Sequence, residues 1–192
     1  MSATLKERIA QVVVQAGDDD GCSSIPSELI AAAAKLAMQL TPEDLSRFPE
    51  WWYPPLSAKS AGALKWKEGW ERLWFEALVE ILYQSGESGL PVLFEFLDRD
   101  LKTYHGMVVV RLLRFAANGT RKKEILDRLK TRLPALNHPA GTESVDEVML
   151  WASYGDSRLT KLLRSMSKLS LKGIGQVTVG SAMKEWVESR SP

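Results

Sequence analysis

Apolar positions recur at helical spacing along most of the chain and are densest between Leu64 and Tyr83. At about 100° per residue, Trp66, Trp70, Trp74, Ala77 and Ile81 share one arc of roughly 80°. Phe75, Leu78, Val79 and Leu82 fill a second arc, which leaves Glu68, Arg72, Glu76 and Glu80 as a narrow polar edge. A helix apolar on two sides is predicted to lie between neighbours. Arg72 then meets Glu68 and Glu76 along a thin exposed edge. Glu71 falls beside Leu78 and Leu82 and is the carboxylate expected to be partly buried, hence to need a partner. The tryptophan stripe is expected to pack in the core, with ligand stacking as its other use.

The flanking pattern predicts further helices. Leu5, Ile9, Val12, Val13 and Ala16 share the face of a helix over 3–16, which stops at Gly17 and the acidic turn Asp18-Asp19-Asp20-Gly21. A calcium loop fails there, because Gly21 at the sixth position puts Ser27 where a bidentate glutamate is needed. Ser24 or Ser27 can cap a helix over 27–40, with Pro26 near its start. Its Ala31–Ala34 run is small enough to admit a close neighbour. Thr41-Pro42-Glu43-Asp44 combines a cap, a first-position proline and acids in the first turn, and so opens a short helix ending near Phe48-Pro49. Residues 49–62 are irregular because Pro54-Pro55 forbids a helix. Trp51, Trp52 and Tyr53 stand on this segment, where aromatic residues either present an interface or plug a gap over the core.

Beyond the break at 85–89 the helices come in pairs: 90–98 with 104–117, 120–136 with 144–154, and 156–169 with 174–189. The pairs begin near 87, 120 and 156, a spacing of 33 to 36 residues. Val108-Val109-Val110 is β-branched, but Arg111 to Phe115 continue a helical pattern, and no strand is predicted. Helix pairs at this period predict an α-solenoid-like stack. Residues 90–117 resemble a HEAT-like repeat, in which an Asp at the turn and an Arg in the second helix recur. Asp98 or Asp100 and Arg111 match those places. The resemblance extends over about 87–190 and implies a scaffold that binds partners on a concave face. The expected fold class is all-α. One domain spans 1–192: an N-terminal helical bundle with the Trp-rich helix over 1–86, continuing into HEAT-like antiparallel helix pairs over 87–192.

Composition narrows function by exclusion. The hydrophobic share of 45% and charged share of 26% are those of a globular chain. A single cysteine, Cys22, excludes an internal disulfide and a cysteine-based metal site. With no secretory leader pattern, it predicts a reducing, cytoplasmic setting. No window approaches a membrane span. His105 and His138 stand in no metal or catalytic spacing, and no P-loop, nucleophile elbow or zincin motif occurs. No catalytic residue, metal ligand or cofactor is therefore assigned, and an enzyme acting on nucleic acid or a small molecule, with site residues distant in sequence, stays a third class.

Net charge is +1 but unevenly placed: residues 1–100 carry 9 Lys/Arg against 16 Asp/Glu, and residues 101–192 carry 16 against 8. The sharpest basic feature is Arg158, Lys161, Arg164, Lys168 and Lys172, which share a helical arc of about 120° opposite Leu159, Leu162, Leu163, Met166 and Leu169. Such a stripe either meets phosphates or is a solvated outer face. It runs into Leu171-Lys172-Gly173-Ile174-Gly175-Gln176-Val177-Thr178. This segment resembles the turn of a helix-hairpin-helix motif, whose glycines let backbone N–H groups approach a DNA phosphate. Val179 departs from the small residue that family favours. A dinucleotide-binding reading of Gly173 and Gly175 fails, because no strand precedes them. The leading expectation is a non-catalytic helical-repeat protein-interaction module, an adaptor or neutralising partner of another protein, with Trp51, Trp52 and Tyr53 as contacts. The rival is nucleic-acid binding through Arg158, Lys161, Arg164, Lys168, Lys172, Gly173 and Gly175.

Overall fold

The computed structural model describes residues 4–15, 27–52, 70–99 and 105–132. Among them the elements are seven α-helices and two 3-10 turns, with no strand. The chain divides into two compact units, 1–95 and 96–192. No helix among the described residues is long and apolar enough to cross a membrane.

In the first unit, α1 (Leu5–Gln15), α2 (Ser27–Ala37) and α4 (Trp70–Gln84) pack against one another. α1 turns in Ile9 and Val13, α2 turns in Leu29 and Ala33, and all four are fully buried. α2 packs on both α1 and α4, and of its Ala31–Ala34 run only Ala33 is buried, Ala31 being exposed. α1 is opened by Thr4 and Glu7: the Glu7 N–H donates to Thr4 Oγ1 and the Thr4 N–H donates to Glu7 Oε2. This reciprocal capping box satisfies two donors the helix start would leave open. α3 (Pro42–Ser46) carries the same device at Thr41 and Asp44, with Pro42 in its first turn.

α4 is the buried centre of this unit. Every residue from Leu73 to Leu82 is buried, and Trp70 and Trp74 lie with ring centroids 5.9 Å apart. The stripe is core at both positions, in keeping with its spacing; Trp66 lies outside the described residues. The charged positions reverse the expectation. Glu71 is exposed, whereas Glu76 and Glu80 are fully buried. The narrow polar edge exists as an arc, but neighbouring elements close over it past the first turn. Both buried carboxylates are engaged by other groups, and Gln84 Nε2 donates to Glu80 Oε1 at 2.6 Å.

A 3-10 turn, Gly86–Gly89, folds back on α4. Gly86 takes a left-handed backbone at φ 64°, which glycine adopts without cost to a side chain. Gly89 is required for space: a Cβ there would run into the Leu82 carbonyl of α4. α5 (Leu90–Asp98) follows, and the division between the units falls within it.

The second unit holds the end of α5, then α6 (His105–Ala117) and α7 (Lys122–Arg132), which pack together. α6 is helical through Val108-Val109-Val110 and buried continuously from Met107 to Leu113. Arg111 is fully buried within that run. α6 ends in a Schellman motif: Gly119 at φ 91° aims its N–H at Ala116 O, and the Thr120 N–H donates to Phe115 O, each at 3.1 Å. Helices thus form at 90–98, 105–117 and 122–132, close to the predicted spans. The remaining predicted helices, at 144–154, 156–169 and 174–189, lie outside the described residues, and a repeated stack is not among the features described.

Candidate functional site

The expected aromatic contacts sit at the end of the short α3. Arg47 caps α3, its N–H donating to Asp44 O, and Phe48–Trp51 then form a 3-10 turn entered through Pro49. This winding sends successive aromatic rings to different places. Phe48 is fully buried and Trp52 is 3% exposed, its ring 4.7 Å from Phe75 of α4 at 51°. Trp52 is therefore a core residue, and its indole offers no free face to a partner. Trp51 is half-buried at the rim. Tyr53 lies outside the described residues.

Trp51 is held from three directions. Its carbonyl accepts the Trp74 indole N–H at 2.8 Å, which ties the turn to the central helix. Its ring meets Phe48 edge-on, at 5.8 Å and 63°. The Arg47 guanidinium lies 5.1 Å from the ring centroid. Arg47 also approaches Glu50 at 3.7 Å, both side chains more than half exposed. A cation over an indole at an exposed site contributes about 0.5–1 kcal/mol. The arrangement is a half-buried tryptophan beside an exposed arginine, on a buried footing. Its residue types are those that dominate protein–protein contacts.

The burial of Trp52 is not legible in the local sequence. Two adjacent tryptophans on a proline-bounded segment look alike until their distant partners, Phe75 and Trp74, are known. The Arg47–Trp51 pair is legible in principle, because the two residues stand four apart across a short turn.

A second polar cluster lies in the second unit. Arg132 donates through Nε to Leu97 O at 2.9 Å, and through Nη2 to Asp98 O at 3.2 Å and Arg99 O at 2.8 Å. One guanidinium thus satisfies carbonyls that the end of α5 would leave open. Arg128 reaches Asp98 Oδ2 at 3.0 Å and Glu124 Oε1 at 3.7 Å, and Arg121 pairs with Glu124. The candidate nucleic-acid residues Arg158, Lys161, Arg164, Lys168, Lys172, Gly173 and Gly175 lie outside the described residues.

Against known proteins, no family model matches this chain, and neither the curated proteins nor the solved structures contain a match. What the fold defines is its class: an all-α protein of packed helices.

Proposed function

We propose that this chain is a non-catalytic protein-interaction module, an adaptor or neutralising partner of another protein, and that the Trp51–Arg47 corner is one of its contacts. The supporting observation is the footing of Trp51: its backbone is anchored by Trp74 while the residue is only half-buried and the Arg47 side chain beside its ring is more than half exposed. A held aromatic ring loses little freedom on binding, so more of its contact energy reaches the complex. The HEAT-like pairing of helices belongs to this proposal, since stacked pairs offer an extended binding surface.

The test is capture of partners from a lysate of the source organism by wild-type and Trp51→Ala chains, each with and without nuclease. Alanine keeps the carbonyl that Trp74 binds, so the variant removes the ring alone. A protein partner retained after nuclease treatment and lost with Trp51→Ala is the expected result, corresponding to about 2 kcal/mol or more at a contact hot spot. Capture that nuclease abolishes would favour the rival instead. That rival, phosphate binding through the basic C-terminal residues, draws support from the excess of 16 Lys/Arg over 8 Asp/Glu in 101–192.

A further inference from the structure

An open groove of about 970 Å³ runs beside α7, lined among the described residues by charged and polar side chains and Gly119. Six of the eight charged residues in this lining fall into two sets. Arg121, Glu124, Arg128 and Asp98 form an alternating chain of ion pairs that cancels its own charge. Lys122 and Lys123 are exposed beside it and have no ion-pair partner among the described residues. Arg121 is fixed in place by more than its ion pair: its backbone is left-handed at φ 42°, and its carbonyl accepts the Ile125 N–H at 3.0 Å. That conformation costs a non-glycine residue roughly 1–2 kcal/mol.

We propose that this groove is a second binding site, distinct from the Trp51 corner, and that it takes an acidic peptide segment of a partner protein. Carboxylates of the peptide meet Lys122 and Lys123. The mixed-sign floor accepts its intervening polar groups. The same floor argues against nucleic acid. A duplex presents one negative charge per about 1.7 Å of axis, whereas a lining of mixed sign, with two lysines unpaired among the described residues, suits the few, spaced carboxylates of a peptide.

The experiment is fluorescence anisotropy with the full chain and a labelled peptide of alternating Glu and Ser, compared with a labelled DNA duplex at the same salt. Variants are Lys122→Glu with Lys123→Glu, the neutral Lys122→Gln with Lys123→Gln, and Lys35→Glu on α2 as a charge-matched control. All change exposed side chains, and circular dichroism checks that each folds. Expected is saturable peptide binding that weakens about tenfold on charge reversal, less on neutralisation, and not at all with Lys35→Glu. Three results overturn the proposal: no peptide binding, equal loss with Lys35→Glu, or duplex bound more tightly than peptide and released by the same reversal. Because the probe is a defined peptide, failure here leaves the Trp51 reading standing, and the reverse also holds.

Discussion

Thr41 and Asp44 show how much one pair of side chains can decide. The Asp44 N–H donates to Thr41 Oγ1 at 3.2 Å, and the Thr41 N–H donates to Asp44 Oδ2 at 3.0 Å. Thr41→Ala is expected to lower unfolding stability by about 1 kcal/mol, measured by urea titration. The same geometry predicts a pH response. The Thr41 backbone N–H holds the Asp44 carboxyl below the ordinary carboxylate range; slight burial opposes this, while the Thr41 hydroxyl, Arg8 and Arg47 reinforce it. A carboxyl whose folded value is depressed stabilises the fold above its unfolded value, and that stability is lost as pH falls through the folded value. Asp44→Asn should therefore flatten part of the acid limb of a stability-versus-pH curve below about pH 4 and leave its neutral shape unchanged. Capping is local, so Thr41-Pro42-Glu43-Asp44 is legible from residue order alone. Thr4 and Glu7 carry the same signal three residues apart, though apolar spacing draws the eye past it to Leu5 and Ile9. The fates of Trp52, Glu71, Glu76 and Glu80 are not legible locally. A helical wheel fixes each side chain's direction; what covers it is set by distant segments.

Among the elements, the close return of the 3-10 turn onto α4 is the most demanding contact. Gly89 sits against the Leu82 backbone, which cannot rotate aside as a side chain would. Gly89→Ala should cost about 3 kcal/mol, the upper range for overpacking. Gly86→Ala, where nothing lies within 4 Å, should cost only the left-handed backbone penalty of about 1 kcal/mol. Thermal unfolding of the two variants side by side checks the ordering; equal losses would deny the close approach. From sequence, Gly86 and Gly89 read alike as a break after α4. Only the returning chain distinguishes a glycine needed for its torsion from one needed for its size. By contrast, the spans of α2, α5 and α6 are legible because apolar spacing, small residues and Asn118-Gly119 are all local signals.

Over the whole molecule, the all-α class follows from periodicity, since helical signals outnumber every alternative along the chain. Stacking of the predicted pairs does not follow, because a period constrains length and leaves packing open. Charge is the property that separates the two functional readings at this scale. With a net charge of +1, a protein-binding chain is expected to pass through a duplex-DNA column at physiological salt. Retention that fell steeply as salt rose would instead mark counterion release from phosphates.

Arg132 joins segments that lie more than thirty positions apart, since its one fork holds the carbonyls of residues 97, 98 and 99. Loss of that fork is therefore expected to loosen the last turn of α7 and the exit of α5 together, with α6 enclosed in the loop between them.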